Sequence, residues 1–274
     1  MLSIYAKEQP AFFQAAMESV QKQSWPPDQI VLVCDGPLTP ELENVINEIA
    51  RDTGDRLHII RRPRNEGLGP ALNAGLSECR HDFVARMDTD DIACPQRCEK
   101  QLAFMRKNEL DLCSGTVWEF TDSITHLEGC RQLPQEHAEL LRYAKRRNPM
   151  NHPCVMFRKQ AVEKAGGYRH MPFFEDYDVW VRMIQTGAKL GNSPEIFGYM
   201  RAGGDMYRRR GGVAYCRSIN RFFKELKDSG FISYRQYMEN LALRYAVSLL
   251  PNRLREIFYK RTLRGCAKGR RNDG

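Results

Sequence analysis

Three carboxylates fall within four residues at Asp88-Thr89-Asp90-Asp91, directly after the apolar run Phe83–Met87. Like charges crowded beside a buried strand are costly unless a cation neutralises them. Oxygen-only ligands of this kind suit Mg2+ or Mn2+, hard ions that commonly bridge protein carboxylates to substrate phosphates. The plainer reading is a solvated acidic turn in which Asp91 caps the helix that follows. Position favours a site, because open α/β sheets bind ligands beyond the carboxyl ends of their strands, and this cluster ends one.

A second acidic pair, Glu175-Asp176, is flanked by Phe173, Phe174, Tyr177 and Trp180. Beside apolar rings a carboxylate keeps enough basicity to take a proton from a hydroxyl, although the pair would also serve a helix N-terminus. Asp35 stands at the end of Ile30–Cys34, where it can bind a base and ribose or make an Asp-Gly turn with Gly36. Ser3 and Tyr5 end the first strand on the same edge, and Tyr5 can stack on a base or join the core. Arg61-Arg62-Pro63-Arg64-Asn65-Glu66-Gly67-Leu68-Gly69 puts three arginines and two glycines ahead of a helix, a cradle for phosphate or base. Arg201 and the run Arg208-Arg209-Arg210 form a basic segment able to close over a diphosphate, or a solvated linker. His152, in Asn148–Pro153, is read either as a phosphate or acceptor contact or as a structural ring.

The elements that must position these groups show in the periodicity. Leu2–Tyr5, Ile30–Cys34, Leu57–Ile60, Phe83–Met87 and Leu112–Phe120 read as buried strands. Between them Ala11–Gln23, Pro40–Ala50, Pro70–Cys79 and Gln96–Lys107 read as helices, which predicts a largely parallel sheet with helices on both faces. No Gly-x-Gly-x-x-Gly follows the first strand, so a dinucleotide site is not indicated. Further on, His137–Arg147 is expected as a helix, Pro153–Phe157 as a strand, and Lys159–Ala165 and Asp176–Gln185 as helices. The tail is expected to be helical to about Arg264, with breaks near Gly230 and Pro251.

A chain of 274 residues with 42 % hydrophobic and 28 % charged residues excludes disorder and fibrous repeats and can bury a full core. The net charge of +8 is unevenly spread. Residues 201–274 carry 18 Lys and Arg against 6 Asp and Glu, whereas residues 1–200 carry 24 against 28. A basic tail interleaved with Leu249, Leu250, Leu254, Ile257, Phe258 and Tyr259 fits helices lying on an anionic membrane, or a packed helical subdomain with a solvated face. No apolar run is long enough to span a bilayer, and the start lacks the pattern of a secretory signal. The expected location is the cytoplasm, with a peripheral position on the inner membrane. Nine cysteines without an export signal argue for reduced thiols.

Taken in order, the chain shows Ser-x-Tyr at Ser3, Val-x-Asp-Gly at Val33, Asn-x-Gly-x-x-x-Ala-x-Asn-x-Gly over Asn65–Gly75, Asp-Thr-Asp-Asp at Asp88 and Glu-Asp-Tyr-Asp-x-Trp at Glu175. Over roughly residues 1–212 this series resembles glycosyltransferase family 2, and within it the enzymes of bacterial capsule and exopolysaccharide clusters of the amylovoran type. The resemblance implies a GT-A fold: a Rossmann-like nucleotide-binding half (1–120), an acceptor half (121–212), a mostly parallel mixed sheet, and here a basic helical extension (213–274). It also implies a divalent cation, Mn2+ or Mg2+, and inversion at the anomeric carbon. Carried over, Tyr5 and Asp35 would hold the nucleoside with Arg64 helping. Asp88 and Asp90 would contact ribose and diphosphate, Asp90 or Asp91 the metal, and Asp176 would be the base with Glu175 beside it. Two departures are visible: the first strand is short, and Cys34 stands where the family often has a second aspartate.

The activity so implied is transfer of a sugar from a nucleotide sugar, a UDP-sugar by resemblance, to a polyprenyl-diphosphate-linked glycan in exopolysaccharide, capsule or lipopolysaccharide synthesis. A nucleotidyltransferase would also need carboxylates on an α/β sheet, but Met1–Pro10 offers no Gly-rich triphosphate loop. A nucleic-acid-binding module would leave the acidic cluster unexplained, and no helix-turn-helix or zinc pattern supports it.

Overall fold

Ile30–Cys34 (β2) is apolar at every position and buried along its whole length, as a strand covered on both faces must be. In the computed structural model of the protein, which describes residues 1–202, 211–251 and 254–255, β2 lies between β1 (Leu2–Ile4) and β3 (Leu57–Arg61), all parallel. Leu2 pairs with Leu32 and Ile30 with Leu57. Alternate side chains serve opposite layers. Ile30, Leu32 and Cys34 pack under α1 (Pro10–Gln21) and α2 (Pro40–Thr53) through Phe13, Met17, Leu42 and Ile46. Val31 and Val33 face α3 (Leu68–Glu78) through Ala71, Leu72 and Leu76. Thr39 caps α2 by accepting the Leu42 N–H, with Pro40 in the first turn, so its start follows from local chemistry.

The second sheet is mixed. Its order is β4 (Phe83–Ala85), β8 (Met156–Arg158), β6 (Leu112–Phe120), β9 (Leu190–Arg201) and β5 (Ile92–Ala93), with β7 (Leu127–Arg131) also paired to β6. Only β6 and β9 run parallel here, the other pairings being antiparallel. Parallel pairing thus reaches less far than the periodicity suggested. The sheets meet where the Met1 amino group donates to the Ala85 carbonyl at 2.8 Å and the Met87 N–H to the Met1 carbonyl at 3.3 Å.

Strand β9 has no apolar period, since Gly191, Asn192, Pro194 and Glu195 interrupt it. It pairs nonetheless because its register slips opposite Gly115 and Thr116, which leaves Pro194 and Glu195 out of the ladder. Between these strands lie α4 (Arg97–Lys107), α5 (His137–Tyr143), α6 (Lys159–Lys164) and α7 (Glu175–Gln185). Residues 153–157, expected as a strand, open instead with a 3-10 turn at His152–Cys154, and only β8 continues extended.

Beyond residue 211, α8 (Gly212–Asp228) and α9 (Tyr234–Ser248) follow. Tyr215, Ile219, Phe222 and Phe223 of α8 bury against Phe174, Tyr177 and Val181 at α7, so the helical extension shares a core with the second acidic pair. Cys34, Cys79, Cys94, Cys98, Cys113, Cys154 and Cys216 are free, as expected of reduced thiols. Among the described residues no helix is long and apolar enough to cross a membrane.

Candidate active site

Asp35 ends β2 and is 4 % exposed. Its carboxylate accepts the Glu66 and Gly67 N–H groups at 3.1 and 3.0 Å and the Arg62 guanidinium at 3.3 Å. Burial raises its pKa, and the Gly67 N–H and Arg62 pull it back. Asp35 therefore ties down the loop before α3. That loop crosses directly over Gly36, whose φ is +91° and where a Cβ would stand 2.7 Å from the Asn65 nitrogen. The crossing leaves Asn65 exposed, with the Arg64 side chain also in solvent and paired to Glu66 at 2.9 Å. Tyr5 is 40 % exposed on the same edge, and Ser3 is half-buried.

Arg86 leaves β4 at 1 % exposure and forks onto both oxygens of Asp88, one contact measuring 2.8 Å. Thr89 Oγ1 donates to Glu8 at 2.7 Å, which brings a fourth carboxylate to the cluster. The Asp90 pKa is pushed up to about 7, first by burial and then by the charges of Asp88 and Glu8, against Arg201. Burial, with Asp88 and Asp90, holds Asp91 well above the ordinary range. Asp91 Oδ1 accepts the Arg201 N–H at 2.7 Å, whereas Oδ2 is buried with no hydrogen-bond partner. Asp91 does not cap α4, whose N-cap is Gln96.

Arg201, at the end of β9, donates to the carbonyls of Asp90 at 3.2 Å and Thr121 at 2.9 Å. Its guanidinium carbon lies 3.6 Å from the ring centre of Phe12 and 4.5 Å from that of Phe120. The residue thus reaches the cluster, but its cation is already held between rings and carbonyls. Arg209 and Arg210 lie outside the described residues.

The residues present fit a divalent cation. The donor set is hard oxygen only, Asp91 keeps an orphaned buried oxygen, and Asp90 lacks enough positive charge nearby to ionise normally. Among the described residues no group of three His, Cys, Asp or Glu side chains is placed to hold a metal ion without further ligands. An ion there would complete its shell with substrate phosphates and water.

Asp176 lies in the first turn of α7 and accepts a hydrogen bond from the Asn148 side chain. Burial raises its pKa, offset by the Tyr177 N–H, Asn148 and Arg86. Burial also pushes Glu175 up to about 7, partly offset by its own N–H and that of Phe173. Asp178, two residues on, is a structural group: it holds Arg182 at 2.7 Å, which in turn donates to the Ala165 and Gly167 carbonyls.

Two contacts bring the acidic groups together. Asn73 receives the Tyr168 N–H at 2.7 Å and donates to the Tyr168 carbonyl at 2.5 Å, fastening α3 to the segment before α7. Gly69, where a Cβ would sit 2.7 Å from the Arg169 carbonyl and 3.6 Å from Glu175 Cγ, lets that segment close on α3. Arg86 is the shared cation: it pairs with Asp88 and lies near enough to Asp176, Tyr168 and His152 to shift all three. Burial and Arg86 hold the His152 pKa well below normal, and its ring lies 6.0 Å from Tyr168 and 5.9 Å from Trp180. His152 thus packs its ring against Tyr168 and Trp180, with Nε2 buried and without a hydrogen-bond partner. Sequence reasoning missed Arg86, Glu8, Asn148 and the role of Asn73. For Arg86 a signal was present, a lone cation in an apolar run two residues before an acidic cluster.

Asp35 and the Asp88–Asp91 cluster stand just past the ends of β2 and β4, the place where open α/β sheets bind their ligands. The Glycosyl transferase family 2 model matches residues 3–166, and the chain belongs to that family. It is 37 % identical over 265 residues to an uncharacterized glycosyltransferase of Haemophilus influenzae, covering 96 % of this chain and 98 % of that one. It is 37 % identical to the amylovoran biosynthesis glycosyltransferase AmsE of Erwinia amylovora, covering 97 % and 98 %. An Escherichia coli UDP-Gal:alpha-D-GlcNAc-diphosphoundecaprenol beta-1,3-galactosyltransferase is 34 % identical, covering 96 % and 95 %. Among solved structures, the mannosyltransferase PcManGT of Pyrobaculum calidifontis, in complex with GDP-Man and Mn2+, superposes with a TM-score of 0.63 at 12 % identity over 93 % of this chain and 70 % of that one. Residues 1–349 of S. aureus TarS with UDP-GlcNAc give 0.62 at 16 % identity over 90 % and 72 %. The fold is GT-A, and the chain is an inverting glycosyltransferase that uses nucleotide-sugar donors.

Proposed function

We propose that this enzyme transfers a sugar from a UDP-sugar to the terminal hydroxyl of a polyprenyl-diphosphate-linked saccharide, with Asp176 as base. The observation that carries this reading is Asp176 itself, a half-buried carboxylate in the first turn of α7 that accepts from Asn148, on a segment that Asn73 and Gly69 close against α3. Tyr5, Asp35 and the Arg64–Asn65 loop hold the nucleoside, and Asp88 and Asp90 the ribose and diphosphate. Asp90 and Asp91 would hold Mn2+ or Mg2+, which would supply positive charge against the departing diphosphate. Asp176 takes the proton from the acceptor hydroxyl as its oxygen bonds to the anomeric carbon. The bond from that carbon to the β-phosphate oxygen breaks, its electron pair leaving with the nucleoside diphosphate, and attack from the opposite face inverts the centre.

Residues 1–212 are read as the transferase domain and 213–274 as a basic extension that meets the membrane carrying the acceptor. Support comes from Tyr234, Met238, Leu243 and Leu249, all exposed on or beside α9. The full chain, given UDP-galactose and N-acetylglucosaminyl-diphosphoundecaprenol in mixed micelles, is expected to release UDP only when the lipid is present. Chelation should stop release and Mn2+ restore it. Pyrophosphate release from UTP and a sugar phosphate, with no transfer from a panel of nucleotide sugars, would overturn the reading.

A further inference from the structure

Two non-glycine residues among those described have a left-handed backbone, Glu109 at φ 51° and Phe173 at φ 72°. The first is an ordinary helix stop: it follows α4, and the next N–H, of Leu110, returns to the Met105 carbonyl at 3.0 Å. Phe173 is different, because it precedes a helix, where entry normally runs through extended backbone. It is the third residue of a turn closed by the Phe174 N–H on the Met171 carbonyl at 2.8 Å, with Pro172 second. Proline second and a left-handed residue third is the type II pattern, whose third position belongs to Gly or Asn. A bulky aromatic there is a true outlier, and such strain gathers where a site needs a particular side chain.

The strain does not serve packing. Met171 and Phe174 on either side are buried at 1 % and 4 %, whereas Phe173 is 46 % exposed. Its ring stands edge-on to Tyr215 of α8 at 5.1 Å and 86°, which steadies one side and leaves the other in solvent. The Phe173 N–H also lies against the Glu175 carboxylate, so the turn is braced from the residue next to Asp176.

We infer that Phe173 is an acceptor-subsite residue, its exposed ring stacking on the C–H face of the sugar that receives the transferred unit. Pyranose C–H groups carry partial positive charge and meet the electron-rich face of an aromatic ring favourably, while the ring's hydroxyls stay free for catalysis and solvent. Phe173 stands three residues before Asp176 in the chain, so one short segment carries both the exposed ring and the carboxylate. This rests on the acceptor reading of Asp176 above.

The test is kinetic, on the full chain with UDP-galactose and N-acetylglucosaminyl-diphosphoundecaprenol. Phe173→Asn relaxes the turn and removes the ring, and Phe173→Tyr keeps the ring. For Phe173→Asn we expect the acceptor KM to rise about tenfold, the size of one lost stacking contact. Donor KM should be unchanged, and the unfolding midpoint should stay within about 2 °C of the parent or above it. Phe173→Tyr should restore the acceptor KM. If the parent transfers galactose and the Asn variant keeps its acceptor KM, or the Tyr variant fails to restore it, the inference falls and the transferase reading stands. A parent that releases no UDP with any acceptor overturns both.

Discussion

Glu175 and Asp176 are neighbours, both driven by burial toward the protonated form, yet only Asp176 is held by a side-chain donor from another segment. Replacing Asp176 with Asn should lower kcat by about 10²–10⁴-fold, the usual worth of a general base, while titration with UDP shows donor binding intact. Glu175→Gln should keep most of the turnover and leave its mark on stability instead. A carboxyl whose folded pKa lies near 7, above its ordinary 4.5, binds more protons folded than unfolded. Stability from this group is therefore present below about pH 4.5 and lost as pH climbs through 7. The Gln variant should flatten that fall in denaturant titrations at pH 5 and 8; an unchanged slope would refute the assignment. The acidic positions were readable in the sequence because charge clusters beside apolar runs need explaining. Asn148 and Glu8 were not, since they come from loops whose approach only the fold decides.

At the scale of elements, α3 and α7 matter more for how they are joined than for what they carry. Asn73 satisfies both backbone groups of Tyr168. Asn73→Ala would strand an N–H and a carbonyl and should cost about 1–3 kcal/mol in urea unfolding. Turnover should drop with it, because the segment that leads to Asp176 loses its fastening. An Ala variant of parental stability would show that water replaces the clamp. Strand β2 was legible from a continuous apolar run, β3 and β6 from apolar-rich ones, and α2 from its Thr-Pro start. Strand β9 was not, because a register slip accommodates its proline and glycines, and no period in the chain announces a slip. The pairing direction of the second sheet was hidden for a related reason: it depends on which distant strands meet.

Over the whole molecule, the carboxylate cluster lies in the strand-built part, whereas α8 and α9 together carry six Lys and Arg against three Asp and Glu. Deleting the extension would uncover the rings of α7 that α8 buries, so membrane binding is better probed within the intact chain. The parent is expected to sediment with vesicles containing about 30 % anionic lipid, less so in high salt, where charge attraction is screened. Substituting Leu243 and Leu249, exposed at 58 % and 74 %, with Asp should abolish sedimentation without moving the unfolding midpoint. Equal pelleting of the variant would assign α9 to a purely structural role.

The buried guanidinium of Arg86 has a consequence for how substitutions around it combine. Removing its partner at Asp88 takes away the carboxylate on which the buried guanidinium forks, a loss of stability separate from whatever Asp88 does for the donor. An Asp88→Ala protein is thus a poor inactive control, because its failure would mix lost chemistry with a weakened fold. Nor would its effects add to those of Asp176, since both carboxylates answer to the same cation. Natural variation at these two positions should be tied together, so that a donor site and its base drift as one unit or not at all.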